Sequence, residues 1–195
     1  MTINLDLLDE ESATEAIKTV AEIAKENGVE WALIGGLAMA LYGSDRTTKD
    51  IDIIADKLLP LERQGLLRQG GERYLIKTNK KVVAVDWIIR KDEFKTLFEQ
   101  ALTEAVRINE VPILTAEWLV ILKFIAGRFK DQEDAVFLLS QKNLVNRQLV
   151  KEKITNLFGK AAWGLAKHGY GRLFDLADGR TREEERNEKD GYIDS

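Results

Sequence analysis

The sequence predicts an α/β domain followed by a helical region, and three observations carry that prediction. Up to about residue 114, short apolar runs rich in β-branched residues alternate with amphipathic helical patterns. Beyond Thr115 only helical periodicity remains. A chain of 195 residues, 45% hydrophobic and 32% charged, has a globular make-up and room for one core with a helical appendage. The expected division is residues 1–114 as the α/β domain, 115–178 as the helical region and 179–195 as a tail. That tail is dense in charge and too poor in apolar residues to pack, so it is expected to be disordered.

Taken in order, residues 5–27 predict an amphipathic helix, with Ala16, Ile17, Val20, Ile23 and Ala24 at helical spacing and Gly28 as its stop. Residues 29–34 form an apolar run suited to a buried strand, which ends at Gly35-Gly36. Residues 37–42 then read as a helix closed by Gly43. Residues 49–55 alternate, so a strand there places Asp50, Asp52 and Ile54 on one face and Ile51, Ile53 and Ala55 on the other. A helix is expected over 58–68, a strand over 74–78, a turn at Asn79-Lys80 and a strand over 82–89. In that last strand Asp86 shares a face with Val82, Ala84 and Ile88, and a carboxylate in such surroundings is costly unless something pairs with it. There follow a helix over 92–101, one strand around 106–113, Thr115 as an N-cap, and helices over 116–126, 132–140, 146–157 and 161–177. Trp31, Trp87, Trp118 and Trp163 are expected in or near the core, and His168 at a helix end.

Composition removes whole classes of chemistry. With no cysteine there are no disulfides, thiolate metal sites or cysteine nucleophiles, and a single histidine, His168, rules out multi-imidazole centres. Any bound metal must take oxygen ligands, which favours Mg²⁺, Mn²⁺ or Ca²⁺. A net charge of −4 argues against a protein that mainly coats nucleic acid. No apolar run is long enough to span a bilayer, and residues 1–10 carry acids where a secretory signal needs positive charge. A soluble, cytoplasmic protein is expected.

The informative stretch runs from Gly35-Gly36 through Gly43, Arg46 and Thr48 to Asp50-Ile51-Asp52, with Asp86 on a later strand. A glycine pair between strand and helix lets backbone approach a phosphate, and the helix start offers unpaired N–H groups. Two aspartates at i and i+2 of one strand face the same way and can hold divalent ions that clamp a triphosphate. Asp86 admits two roles, a third metal ligand that assists an acceptor hydroxyl or a structural partner for Arg46 or Arg73. Gly35 and Gly36 likewise admit phosphate cradling or tight packing.

These residues resemble the nucleotidyltransferase superfamily that includes polymerase beta, and within it a branch of small bacterial proteins related to abortive-infection nucleotidyltransferase toxins. The branch pattern reads here as Gly35-Gly36, Gly43-x-x-Arg46-x-Thr48-x-Asp50-x-Asp52 and Asp86, followed by Lys123, Lys130-Asp131 and Asp134. The resemblance covers residues 29–140, and it departs at Tyr42, where relatives often carry histidine.

The resemblance implies a mixed β-sheet flanked by helices and transfer of a nucleoside monophosphate from a nucleoside triphosphate to an acceptor. Asp50, Asp52 and Asp86 would be the catalytic, metal-binding carboxylates for Mg²⁺ or Mn²⁺. Gly35, Gly36, Arg46, Thr48 and Lys123 would bind nucleotide or phosphate. The acceptor it implies is tRNA, a protein or a small molecule, and a toxin-like member would have a neutralising partner protein. For Lys123 an ordinary solvent-face role stands beside the functional one, and Asp131 and Asp134 are read as structural acids of a helix start. The alternative to an enzyme is an inactive nucleotide-binding or protein-interaction module with the same fold.

Overall fold

The computed structural model describes residues 7–180. Its first helix, α1 (Glu10–Glu26), begins later than the hydrophobic pattern alone indicates. Asp9 sets the start: its backbone is extended and its side chain accepts the Ser12 N–H at 2.9 Å, closing the helix end. The preceding Leu8 N–H is already committed to the carbonyl of Thr48 at 2.8 Å. Leu5 and Asp6 of the expected helix lie outside the described residues. The buried stripe of α1 is Ala13, Ala16, Val20 and Ala24.

Seven strands form one mixed sheet, and six helices accompany it among the described residues. They run β1 (Trp31–Ile34), α2 (Gly35–Leu41), β2 (Asp50–Ala55), β3 (Gly65–Leu66), β4 (Gly71–Lys77), β5 (Val82–Ile88), α3 (Lys95–Thr103), β6 (Val106–Ile108) and β7 (Val111–Ile113). Across the sheet the order is β3-β4-β5-β2-β1-β7-β6. Strands β2 and β5 pair in parallel, as do β1 and β7, while β1–β2, β3–β4, β4–β5 and β6–β7 are antiparallel. Period-two alternation gives the sheet a densely packed face built from Trp31, Leu33, Ile51, Ile53, Tyr74, Val85 and Trp87, all buried. The Trp87 ring lies 6.4 Å from both the Trp31 and the Tyr74 ring, and its indole N–H donates to the carbonyl of Lys57 at 2.8 Å. The aspartate face also carries buried Ile54 and Ile88, so the carboxylates stand at the margin of a buried surface.

Two expected elements are corrected. Residues 58–68 are not a helix: Pro60 lacks an N–H, and the segment spends its hydrogen bonds on the sheet instead. Leu59, 4% exposed, donates its N–H to the Tyr74 hydroxyl at 3.3 Å, and Gly65-Leu66 pairs with Arg73 and Glu72 as the edge strand β3. The single strand expected around 106–113 is a hairpin of β6 and β7. Asn109 and Glu110 take φ of 49° and 66°, the left-handed pair that a two-residue hairpin turn requires.

The chain divides into two compact units, Met1–Thr115 and Ala116–Ser195. The second unit holds α4 (Ala116–Ala126), α5 (Phe129–Ser140) and α6 (Arg147–Ala177). Asn146 caps α6 by accepting the N–H groups of Gln148 and Leu149, both at 3.1 Å. The break expected between two helices is present inside α6 at Gly159, whose φ of 82° and ψ of 169° leave the helical region. Phe124 stacks on Tyr170 at 3.9 Å, and Trp163 stacks on Tyr170 at 5.7 Å. His168 does not end a helix: it is an exposed residue within α6, because the helical pattern continues through buried Tyr170 and Leu173. Residues 181–195 of the expected tail lie outside the described residues. No described helix is long and apolar enough to cross a membrane.

The Tyr74 hydroxyl bridges the segment that replaced the expected helix. It accepts from Leu59 and donates to Glu72 Oε2 at 2.9 Å, and burial together with Glu72 pushes its pKa up to about 12, so the donor is retained. Tyr74→Phe leaves the buried Leu59 N–H without this acceptor, and we expect a loss of about 1–3 kcal/mol. Urea unfolding should show a lower midpoint with an unchanged slope.

Candidate functional site

Register decides which charges meet. Asp52 on β2 lies opposite Asp86 on β5, and Asp86 lies opposite Arg73 on β4. Residues directly opposite one another share a face, so Asp52, Asp86 and Arg73 form a row across three strands, with Asp50 two residues from Asp52 on the same face. Two carboxylates side by side repel, and the third member of the row supplies the countercharge. Arg73 donates from Nε to Asp86 Oδ1 at 2.5 Å and from a terminal nitrogen to Asp86 Oδ2 at 2.8 Å, a two-pronged pair, and reaches Asp50 Oδ2 at 3.6 Å. These contacts raise the Arg73 pKa, Asp86 contributing most and Asp50 and Asp52 adding to it.

Exposure is unequal along this row. The Asp86 side chain is 10% exposed, Asp50 32% and Arg73 36%. Breaking a fully buried pair costs about 3–5 kcal/mol, whereas a fully exposed pair is worth about 0–1. With one partner buried and the other open to solvent, Arg73–Asp86 stands between those limits. The cost of losing it falls on Asp86, which cannot turn to water.

The glycine pair is fixed by sterics at this same place. Gly35 has φ of 67°, and a Cβ there would lie 1.9 Å from Asp52 Oδ2. A Cβ on Gly36 would lie 2.7 Å from Thr48 Cβ. Both positions are therefore required small by the side chains packed on them, the tight-packing role weighed from the sequence. Backbone at the start of α2 is thereby brought against the Asp52 carboxylate. Thr48 sits with its hydroxyl 3.1 Å from the Asp50 carbonyl oxygen and 3.3 Å from Asp50 Oδ1, bracing the entry to β2. Arg46 is half-buried in the loop ahead of it, its N–H donating to Ser44 Oγ at 3.3 Å. Tyr42, where relatives often have histidine, donates its hydroxyl to the Leu114 carbonyl at 2.8 Å and so anchors the end of α2.

Lys123 belongs to the helical unit. Its ammonium lies 3.1 Å from Asp131 Oδ1 and 2.6 Å from Asp134 Oδ2, with a side-chain exposure of 8%. It is not a solvent-face residue, and Asp131, fully buried, is more than an acid that offsets a helix dipole. Arg128 adds a second cation to Asp131, with Nε at 2.5 Å from Oδ2. Burial pushes the Asp131 carboxyl up, but hydrogen bonds from Arg128 and Lys123 outweigh it and hold the pKa below the ordinary 3.8.

Of the residues singled out in the sequence, Gly35, Gly36, Thr48, Asp50, Asp52 and Asp86 are gathered on neighbouring elements of the first unit. Arg73, which the sequence offers only as one of two partners for Asp86, also belongs to this group. Its position was available from the turn: a two-residue loop at Asn79-Lys80 fixes a hairpin register in which 73 faces 86.

The chemistry of the donors suits a hard divalent cation, since Asp50 and Asp52 present carboxylate oxygens on one face of a strand. Both oxygens of Asp86 are taken up by Arg73. Among the described residues, no three His, Cys, Asp or Glu side chains are already gathered as a metal-binding group.

Two outcomes follow. Gly35→Ala drives a Cβ into the Asp52 carboxylate and places a side chain at positive φ; we expect about 1–3 kcal/mol lost in thermal or urea unfolding of the full chain. For Asp131, a folded pKa below the unfolded value means its stabilisation is complete above about 3.8 and is lost as pH falls through the folded value. Asp131→Asn should thus cost about 3 kcal/mol at pH 7. The gap from wild type should narrow below pH 3.8 when helix content is followed during urea titration.

No protein-family model matches the chain, and no curated protein matches it either. Solved structures do. An antigenic nucleotidyltransferase-like protein from Paracoccidioides brasiliensis superimposes with a TM-score of 0.50 at 14% identity, over 83% of this chain and 94% of that one. JHP933 from Helicobacter pylori gives a TM-score of 0.50 at 13% identity, over 96% of this chain and all of the other. At such identity the likeness concerns architecture, and together with the mixed seven-stranded sheet it establishes the fold of this chain as nucleotidyltransferase-like.

Proposed function

We propose that the chain is a metal-dependent nucleotidyltransferase that moves a nucleoside monophosphate from a nucleoside triphosphate to an acceptor. The observation that carries this reading is the row of carboxylates: Asp50 and Asp52 on β2, with Asp86 placed beside Asp52 by parallel pairing. Support comes also from the fold, since one protein of similar architecture is described as nucleotidyltransferase-like.

In this reading Asp50 and Asp52 hold Mg²⁺ or Mn²⁺ and Asp86 completes the donor set. The bound ions would supply charge neutralisation for a triphosphate and for the phosphorus under attack. The protein's own groups do the rest. The start of α2, held against Asp52 by Gly35, offers backbone N–H groups to phosphate oxygens, and Arg46 and Thr48 stand on the loop leading into the same strand. An acceptor oxygen attacks the α-phosphorus as the bond to the bridging oxygen breaks and pyrophosphate leaves. Asp86, the most buried of the three carboxylates, is placed to take the acceptor's proton once it is free of Arg73.

One observation favours a second reading, a nucleotide-binding module without turnover: both Asp86 oxygens are occupied by Arg73. Pyrophosphate release separates the two. We expect wild type to release pyrophosphate from a nucleoside triphosphate with Mg²⁺ or Mn²⁺, and Asp50→Asn and Asp52→Asn each to reduce the rate at least about a hundredfold while the fold persists by circular dichroism. Undiminished release from Asp50→Asn would remove the carboxylate row from the mechanism. Saturable nucleotide binding with no release across hydroxyl and phosphate acceptors would favour the module.

A further inference from the structure

Arg73 is a cation lodged among the carboxylates to which the proposed reaction assigns metal. It lies on β4, directly opposite Asp86, and its fork takes both oxygens of that carboxylate while one terminal nitrogen approaches Asp50. With Asp50, Asp52, Asp86 and Arg73 all ionised, the row carries a net charge of −2. One divalent cation at Asp50 and Asp52 balances that charge with Arg73 in place. A second does not, because it would have to share Asp86 with a guanidinium whose fork already engages both carboxylate oxygens.

The asymmetry in exposure says which group gives way. Asp86 is fixed in the centre of the sheet with a side chain only 10% exposed, between Val85 and Trp87, which are fully buried. Arg73 is 36% exposed on the strand next to the edge strand β3, and its long side chain can swing to water without disturbing the core. Losing the guanidinium uncovers a buried carboxylate, so release is unfavourable until another cation replaces it.

We infer that Arg73 stands in for one of two cations: the metal-free and singly loaded protein keeps Arg73 on Asp86, and a second divalent ion binds only by exchanging with it. This rests on the metal-dependent reading above, and it makes Arg73 a positioning residue that sets how readily Asp86 becomes available.

The test is direct Mn²⁺ binding to the full chain without nucleotide, followed by the electron paramagnetic resonance signal of free Mn²⁺, with thermal unfolding in parallel. Wild type should show one tighter and one weaker site. In Arg73→Gln the weaker site should tighten by about tenfold, and the gain should vanish in Arg73→Gln/Asp86→Asn. Arg73→Gln should also melt lower than wild type without metal and recover more on adding Mn²⁺. Should Arg73→Gln fail to fold, Arg73→Lys keeps the charge but loses the fork, and it too should bind the second ion more tightly than wild type. Binding that depends on Asp50 but is unchanged or weakened by both Arg73 substitutions overturns the exchange and leaves the metal reading standing. Absence of saturable Mn²⁺ binding in wild type and both variants overturns the two together.

Discussion

The parallel pairing of β2 with β5 is the constraint from which the site follows. Because Asp52 and Asp86 are register partners, two carboxylates stand side by side on one face, an arrangement that repels in isolation. The antiparallel partner of β5 supplies the remedy in Arg73, whose fork covers Asp86 and whose charge reaches Asp50. The remainder of the sheet holds that register in place. Ile51, Ile53, Val85 and Trp87 on the opposite face are buried, and a slip of one residue would exchange them with the charged row. Packing on one side of the sheet thus enforces an electrostatically costly arrangement on the other.

Around this row the backbone is drawn unusually close. Asp52 leaves no space for a side chain at Gly35, and Thr48 leaves none at Gly36. The helix start of α2 is therefore pressed onto the carboxylates by shape, while Tyr42 ties its other end to the Leu114 carbonyl. A short helix of seven residues has little stability of its own, and these contacts at both ends hold it. The glycine pair is thus required by shape at the place where α2 meets the carboxylate row.

The helical unit shows a second solution to buried charge. Lys123 is surrounded by Asp131 and Asp134, and Arg128 caps the network from a more exposed position. Nearby in the same unit Lys153 lies 4.6 Å from the Trp118 ring centroid, a cation set against an aromatic face. Here the cation between the two carboxylates, Lys123, is itself buried, and Arg128 is the member open to solvent.

The sequence by itself determined the α/β character, the helical second half, the face shared by Asp50 and Asp52, and the break near Gly159. Each is a local property, written in period-two or helical spacing and in residues such as glycine that limit backbone choice. Even the opposition of Arg73 and Asp86 was implicit in the two-residue turn at Asn79-Lys80. Residues 58–68 carry helical spacing, but long-range bonds from Leu59 to Tyr74 and from Gly65-Leu66 to β4 override it, and no local pattern reports those bonds. The hairpin at Asn109 and Glu110 carries no glycine signal, since neither residue is glycine although both take positive φ. Only the tertiary structure decided that Asp52 and Asp86 are neighbours, that Lys123 is buried, and that Arg73 reaches Asp50 as well as Asp86. Those facts depend on strand order and register across distant segments, where the free energy of packing and charge pairing is settled.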